Sequence, residues 1–286
     1  MFQRVKALIL KKDKNYLEQA IVFLPILFVV RTFFYGLYQV PSGSMETTML
    51  VGERFLADKF SPWIWPIQRG DIISFNDPLF DYSENEYVNL FQRYVWGPSN
   101  WTKRVIGLPG DHVQGKVNTD TGKTEVYIND VKLDEPYVNK YPLILVESYR
   151  PQFMFDFFGQ KQRVTQSYNP ELPFNEQKFY RINTEHIVGY PNNMYILNPG
   201  TPMENGSDIY DVYLGDNEYW VMGDNRLGSA DSRSWGPLDG KLIHGKIKFR
   251  MLSIDLKNPW LIVDLLTHPL DFWTRIRFDR CFQTIS

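Results

Sequence analysis

The hydrophobic positions of this chain are concentrated in one long stretch near the N-terminus. An almost unbroken apolar run, AIVFLPILFVV, covers residues 20–30, and aromatic and aliphatic residues follow it. With these flanks the stretch reaches roughly the 20 residues that a bilayer core demands of a helix. Pro25 and Arg31 interrupt it, although an arginine near the interface can extend its charge to the headgroups. We therefore predict one transmembrane helix over residues 16–38.

The charges around this run predict its orientation. Residues 1–15 contain five basic side chains and a single acidic one. Because basic flanks remain on the cytoplasmic side, this segment is predicted to be cytoplasmic and everything after the helix to lie outside. Two alternatives stay open. Ser42-Gly43-Ser44 loosely fits the small-residue rule of a cleaved secretory signal, and the strictly apolar part is short enough for a core helix of a soluble protein.

After Pro41 the pattern changes to short runs of β-branched and aromatic residues bounded by Gly, Asp, Asn or Pro. Examples are RFLADKF at 54–60, DIISFND at 71–77, EVYIND at 125–130 and EYWVMGD at 218–224. Such runs are typical of strands joined by turns. They predict a mainly β, antiparallel protein.

The domain organisation follows from where these signals weaken. We expect an antiparallel β core formed by residues 39–112 and 218–251, with an inserted second β lobe at 113–217. Within the insert, residues 147–217 are polar, aromatic and rich in turn residues. The tail, residues 252–286, mixes aromatic and basic side chains in pieces too short to span a bilayer. It fits a membrane-touching segment or a packed surface helix equally well.

Composition excludes several classes of protein. A net charge of -2 provides no electrostatic footprint for nucleic acid. The single cysteine, Cys281, rules out an intrachain disulfide and a cysteine-based metal cluster. The sequence gives no reason to expect a metal or another cofactor.

Three segments carry the candidate chemistry: PSGSM at 41–45, KRVIGLPGD at 103–111 and GDNRLGSADSRSWG at 223–236. Each alone reads as an ordinary turn or loop. In order, and together with RGDIISF at 69–75, they resemble the signature boxes of bacterial type I signal peptidases, the leader peptidases with a Ser/Lys dyad. That resemblance implies a signal-peptidase-like catalytic core within the predicted β fold.

The resemblance implies Ser44 as the nucleophile and Lys103 as its base. A serine hydroxyl needs a base to take its proton, and only a neutral, desolvated amine can do so. By resemblance, Ser229 orients that amine. The resemblance also assigns the oxyanion hole to the main-chain N–H of Ser44 and the hydroxyl of Ser42, with Gly43 allowing close approach.

The same boxes imply structural ion pairs, Arg104 with Asp224 and Asp231 with Arg233, that brace the loop carrying Ser229. Solvated loop charges of little energetic value are the alternative.

Val40, Met45 and Thr102 flank the catalytic residues and are candidates for shallow pockets that admit small side chains, with core packing as the alternative. The chain departs from the family pattern at Thr47 and Met49, where Pro and Leu are usual.

The implied function is a membrane-bound serine endopeptidase that removes signal peptides from exported preproteins without a cofactor. Its expected partners are those preproteins, membrane lipid and, by proximity, the Sec or Tat export machinery. Its expected location is the bacterial cytoplasmic (inner) membrane, single-pass, with a periplasmic or extracytoplasmic catalytic domain. A glycosylating lumen is disfavoured because the sequon at Asn100 directly precedes Lys103.

Three other functions stay open. The chain could be a specialised Ser/Lys peptidase that matures a pilus or conjugation protein, or an inactive membrane-tethered binding module. A Ser-His hydrolase would need one of the four histidines, which are His112, His186, His244 and His268.

Overall fold

A computed structural model describes residues 16, 18–95, 97–150, 160–191, 193–200, 206–257 and 260–285 of the chain. Its strands, in chain order, are β1 (Tyr35–Gln39), β2 (Arg54–Asp58), β3 (Ile72–Asn76), β4 (Asn100–Gly107), β5 (His112–Val117), β6 (Thr124–Ile128), β7 (Val131–Lys132), β8 (Leu143–Arg150), β9 (Gln160–Ser167), β10 (Ile196–Leu197), β11 (Tyr210–Tyr213), β12 (Glu218–Met222), β13 (Leu238–Asp239), β14 (Ile243–Leu252) and β15 (Gln283–Thr284). The helices are α1 (residues 18–29), α2 (Glu86–Tyr94), α3 (Ser232–Trp235) and α4 (Leu261–Thr267).

The strands form three antiparallel sheets. The main sheet has the order β1-β2-β14-β3-β4-β12-β13, with β15 added beside β14. The insert contributes a four-stranded sheet, β11-β5-β6-β7, and a three-stranded sheet, β10-β8-β9. The predicted mainly antiparallel β architecture is confirmed, and the main sheet takes its strands from both sides of the insert.

Burial along the main sheet follows the position of each strand. In β2 the inward residues Phe55 and Ala57 alternate with partly exposed neighbours, as expected for a strand with one face in the core. In β3 all five residues are buried, because this strand lies between β14 and β4 and is covered on both faces. The centre of the sheet is thus the driest part of the fold, and the two catalytic candidates lie beside it.

Small apolar clusters join the sheets. One contains Met45, Met49 and Phe55 from the region around the candidate nucleophile. Another packs Leu50 against Ile144 of β8 and Phe179 of the insert. The segment after Ser44 therefore rests on the main sheet on one side and on the insert on the other.

The N-terminal region is helical from residue 18 to residue 29 and continues as a wider-turned helix at Val30–Phe34. The predicted span ran to residue 38, but Tyr35–Gln39 form β1 and pair with β2, so the upper boundary was too late. Residues 1–15 lie outside the described part of the chain. Across the described residues, no helix has both the length and the apolar character needed to cross a bilayer.

The tail is tied into the fold through arginines. Arg275 is buried and pairs with Asp264 of α4. Arg280 pairs with Glu53, and β15 adds to the main sheet. These basic side chains contact protein groups, whereas Leu270, Phe278 and other apolar residues of the tail are exposed.

Candidate active site

Ser44 lies in a single helical turn, Gly43–Met45, directly after β1. The two methionines on either side of the following bend, Met45 and Met49, are almost completely buried in one core cluster, and the Met49 N–H donates to the Met45 carbonyl. Burying two large side chains of one short segment fixes its backbone against the sheet. This packing presents Ser44, which is itself 9% exposed, at the floor of a cleft.

Lys103 reaches the same cleft from the middle of β4, where it pairs in register with Ile73 of β3. Its Nζ lies 3.0 Å from Ser44 Oγ and donates to the carbonyl of Thr102 at 3.1 Å. The lysine is only 4% exposed. The structure thus brings together two residues that are 59 positions apart in the sequence, at hydrogen-bond distance and out of bulk water.

The environment of Lys103 favours the neutral amine. Burial lowers the pKa of Lys103 from 10.5 to about 8, and Arg233 acts in the same direction, while Asp231 and Asp224 oppose it. The ring of Trp101 is 5.7 Å from Nζ and forms part of the cover. Desolvation of the charged form outweighs the nearby carboxylates. A lysine with this pKa can accept a proton near neutral pH.

Ser42 and Gly43 shape the turn in front of the nucleophile. The Ser42 hydroxyl lies 3.4 Å from Ser44 Oγ. A Cβ at Gly43 would collide with the carboxylate of Glu46, so a larger residue there would have to displace Glu46 from its hydrogen bonds to Ser167 and Tyr180. The glycine therefore serves close packing inside the turn, in addition to any approach by substrate.

Ser229 lies on the loop after β12 and is buried. Lys103 donates to Ser44 and Thr102 and not to the Ser229 hydroxyl, which interacts with the Asp231 carboxylate and helps to lower its pKa. A Cβ at Gly223 would collide with both Ser229 Oγ and the Ser44 carbonyl, which places Ser229 close to the nucleophile. The structure brings Ser229 to the site without a bond to Lys103.

Arg104 and Asp224 form a buried bidentate pair beneath the site. The guanidinium donates to the two carboxylate oxygens at 2.9 and 2.8 Å, and both side chains are at most 2% exposed. Arg104 also donates to the Gly70 carbonyl, and Thr48 donates to Asp224. The pair therefore links β4, the loop after β12 and the segment behind Ser44.

Asp231 and Arg233 form the second pair, at 2.8 Å, with side chains at most 2% exposed. Burial alone would raise the pKa of Asp231, but hydrogen bonds and charge from Arg233 and a bond from the Gly223 N–H hold it below the usual range. Arg233 also bonds Asp208 of the insert. Asp231 caps α3 as well, so the loop carrying Ser229 is fixed at both of its ends.

Several residues that hold the nucleophile were not identified from the sequence. Asn225 donates through its side chain to the Gly43 carbonyl and through its backbone to the Ser44 carbonyl. Glu46 is completely buried and accepts from the backbone and hydroxyl of Ser167 and from the hydroxyl of Tyr180. Asn225 belongs to the GDN box and could have been found there, but nothing in the sequence indicates the partners of Glu46.

The cleft above these residues has a volume of about 350 Å³. Val40, Met45 and Thr102, the three candidates for substrate pockets, all contribute to its lining, together with Met49 and Trp101. All four histidines are described, and none of them lines this cleft. Within the described residues, no group of three or more His, Cys, Asp or Glu side chains is arranged to hold a metal ion.

Comparison with known proteins points in one direction. The profile of the family described as "Signal peptidase, peptidase S26" matches residues 14–252. Signal peptidase I of Buchnera aphidicola subsp. Schizaphis graminum is 30% identical over 275 residues, which cover 90% of this chain and 81% of that one. Signal peptidase I of Pseudomonas aeruginosa is 30% identical over 233 residues, covering 79% of this chain and 65% of the relative.

Among solved structures, the crystal structure of a signal peptidase I from Enterococcus faecalis is similar at 20% sequence identity, covering 64% of this chain and 97% of that chain. Its TM-score of 0.28 is too low to support an inference about the fold.

Proposed function

This chain belongs to the signal peptidase family, peptidase S26, and from that membership we propose that it is a membrane-bound serine endopeptidase that removes N-terminal signal peptides from exported preproteins. The observation that carries the proposal is the buried contact between Ser44 Oγ and Lys103 Nζ at 3.0 Å. A binding module has no use for a desolvated lysine held against a serine hydroxyl, whereas Ser/Lys acyl transfer requires that pair.

The reaction begins with the neutral Lys103 amine, which takes the hydroxyl proton of Ser44 as Oγ attacks the scissile carbonyl carbon. The resulting ammonium gives that proton to the leaving nitrogen, the C–N bond breaks, and the signal peptide remains as an ester on Ser44. Lys103 then takes a proton from water, the water oxygen attacks the ester carbon, and Ser44 recovers its proton. No cofactor is needed at any step.

The negative oxygen formed in each addition needs preorganised donors. The Ser42 hydroxyl and the Ser44 N–H are the proposed donors, and the position of the Ser42 hydroxyl 3.4 Å from Ser44 Oγ supports the first assignment. Removing one oxyanion donor costs roughly 2.7–4 kcal/mol of transition-state stabilisation in serine proteases. Ser229 and the ion pairs beneath the site are proposed to keep the two catalytic side chains in register.

The preprotein is proposed to bind extended, as an added strand, along the cleft walls formed by residues 38–42 and 99–102. Val40, Met45 and Thr102 would line shallow pockets for the first and third residues before the cut. Small side chains such as Ala, Gly and Ser fit a cleft whose walls also include Met49 and Trp101. Phe or Lys at either position should therefore stop cleavage.

The proposed topology has residues 1–15 in the cytoplasm, one crossing helix within residues 16–34 and the catalytic domain on the outer face of a bacterial cytoplasmic membrane. The basic flank and the apolar run support it. In this location the protein meets membrane lipid and the Sec or Tat export machinery. Protease added outside intact spheroplasts should digest the catalytic domain, and full protection would contradict this orientation.

The direct test is cleavage of a preprotein with Ala at the first and third positions by purified full-length protein in detergent, with the cut located by mass spectrometry. Ser44→Ala and Lys103→Met should give no product. Lys140→Met, which changes an exposed lysine outside the cleft, is the matched control and should retain full activity. Absence of cleavage across a panel of preproteins would favour a binding module, and cleavage of one pilus or conjugation protein alone would favour a specialised peptidase.

A further inference from the structure

Helix α2, in the connection between β3 and β4, has its polarity reversed relative to a normal surface helix. Its apolar and aromatic residues, and the one that follows it, are all exposed: Tyr87 by 83%, Val88 by 45%, Leu90 by 46%, Phe91 by 53%, Tyr94 by 42% and Val95 by 48%. At 100° per residue these positions form one continuous face. A helix of a soluble domain normally turns such a face towards the core.

The polar residues of α2 are the ones turned inward. Asn89 donates to the Ser83 carbonyl, and Gln92 accepts from the Ser83 N–H. The carbonyl of Arg93 accepts from Asn76 at the end of β3. These bonds fix the rotation of the helix about its axis, so the exposure of the apolar face is built in and does not result from a loosely held helix.

The position of α2 in the fold indicates what covers this face. The register pairs Tyr35 with Asp58, Ile243 with Phe75, and Asn76 with Asn100. One end of the main sheet is therefore formed by the start of β1, the end of β2, the start of β14, the end of β3 and the start of β4. The N-terminal helical region is connected to the sheet at this end, and α2 lies in the connection between β3 and β4 at the same end.

A second exposed apolar segment lies at this end of the sheet. Residues 60–65, directly after β2, expose Trp63 by 68%, Ile64 by 55% and Trp65 by 61%. This segment is held against the end of the N-terminal helical region, where Phe34 stacks on Phe60 and Phe33 contacts Trp63 edge-on. Exposed aromatic and aliphatic side chains therefore lie together where the chain is proposed to leave the bilayer.

We propose that α2 lies flat in the phospholipid interface of the membrane, with its apolar face buried about 5–10 Å into the boundary between headgroups and acyl chains. The proposal rests on the membrane attachment proposed above and names the element of the catalytic domain that touches the bilayer. A protein partner is the less suitable occupant, because no charged side chain lies among the six exposed residues to give specificity.

The charges around α2 predict which lipid surface it prefers. Asp81, Glu84 and Glu86 precede or begin the helix, and its one basic residue, Arg93, packs against the ring of Tyr82. Because α2 itself presents no other basic side chain, its insertion should depend on apolar burial more than on attraction to anionic headgroups. It should therefore occur on neutral vesicles and resist high salt.

The placement of α2 in the interface would also determine the position of the cleft. The chain passes from α2 directly into β4, which carries Thr102 and Lys103 of the cleft. An α2 fixed in the interface would hold the cleft at a constant height above the membrane, at the level where the cleavage region of an anchored preprotein emerges.

Depth measurement on the full-length protein in phosphatidylcholine vesicles tests the proposal. In a Cys281→Ser background, Leu90→Cys is labelled with a polarity-sensitive fluorophore and compared with Val131→Cys, a control on β7 that is also apolar and exposed, by 70%. The Leu90 label should show blue-shifted emission and quenching by spin-labelled lipid, unchanged at high salt. The Val131 label should show neither. Equal behaviour of the two labels, at a protein-to-lipid ratio low enough to keep copies apart, would overturn the proposal.

A paired variant separates this proposal from the proposed function. Leu90→Glu with Phe91→Glu changes only exposed side chains, so cleavage of a short soluble peptide should be unchanged. Cleavage of a preprotein anchored in the same vesicles should fall several-fold. If the parent cleaves normally but the label at position 90 is not quenched, the helix proposal alone is refuted. If the label is quenched but the parent cleaves no substrate, the enzymatic function alone is refuted. Equal loss on both substrates would point to α2 as a substrate-binding element and would also contradict the bilayer assignment.

Discussion

Replacement of Lys103 by methionine tests the physical basis of the proposed mechanism. The substitution retains length and apolar bulk but removes an amine that is only 4% exposed. Because burial lowers the pKa of Lys103 from 10.5 to about 8, the folded protein destabilises the ammonium form by about 3 kcal/mol relative to the unfolded chain. The variant should be inactive, yet more stable than the parent at neutral pH.

The sign of the pH dependence follows from the lowered pKa. Below pH 8 the lysine is protonated in both the folded and the unfolded chain, so the full penalty destabilises the parent. Between pH 8 and pH 10.5 only the unfolded chain holds the proton, and the stability of the parent rises with pH. Above pH 10.5 the penalty is gone. The stability advantage of Lys103→Met should therefore shrink by about 3 kcal/mol across this interval.

The assay is denaturant unfolding of both proteins in the same detergent at several pH values between 7 and 10.5, alongside kcat/KM for peptide cleavage. In the parent, kcat/KM should fall about tenfold per pH unit below pH 8, because only the neutral amine is a base. Lys103→Arg retains a charge that cannot be released and should lose activity by about 10⁴-fold or more. A stability difference independent of pH, or turnover by the arginine variant with the same acidic limb, would refute the assignment of Lys103 as base.

Three further outcomes follow from the contacts around the site. Asp224→Asn should destabilise the protein by about 3–5 kcal/mol, because it leaves the Arg104 charge buried and unpaired. The control is Lys132→Ala, which breaks the exposed ion pair with Glu125 and should leave the thermal unfolding midpoint nearly unchanged; a similar shift of the midpoint in both variants would contradict this. Glu46→Gln should cost about 1–3 kcal/mol in unfolding free energy, because one buried acceptor oxygen becomes an amide donor that faces the donors of Ser167 or Tyr180; an unchanged midpoint would be inconsistent with that network. Ser229→Ala should lower kcat, with little change in KM, by far less than Lys103→Met does, and equal losses would show that the hydroxyl is as necessary as the base.

Four strands, three in the main sheet and one in the insert, could be predicted from the sequence because they carry their own local signal. The runs around β2, β3, β6 and β12 combine β-branched or aromatic residues with bounding turn residues, and all four form strands where predicted. The hairpin partner β9 could not be found this way. Its sequence, QKQRVTQS, has almost no apolar alternation, and it forms a strand because β8 provides a full ladder of backbone partners.

In the site too, the identity of the residues could be predicted from local sequence, whereas their environment could not. Ser44 and Lys103 could be identified because their boxes are contiguous and resemble a known family. The shift in the pKa of Lys103 could be anticipated only as a requirement of the chemistry. Its cause is burial of the amine, and although Trp101 is a near neighbour in the sequence, the burial also depends on the pairing of β4 with β3, which the local sequence does not show.

Two carboxylates that follow the nucleophile in the sequence explain why a small catalytic motif depends on distant parts of the chain. Glu46 and Glu53 are completely buried, and a buried carboxylate is stable only if strong donors replace its hydration shell. Glu46 takes its donors from the insert, at Ser167 and Tyr180.

Glu53 takes two of its donors from β14 and the tail, where Arg250 and Arg280 both bond it. Arg280 also donates to the carbonyls of Thr47 and Thr48. The backbone that presents Ser44 is therefore held by two distant parts of the chain, the insert and the tail. Neither carries a catalytic group, but both supply the donors without which the two buried carboxylates would destabilise that backbone.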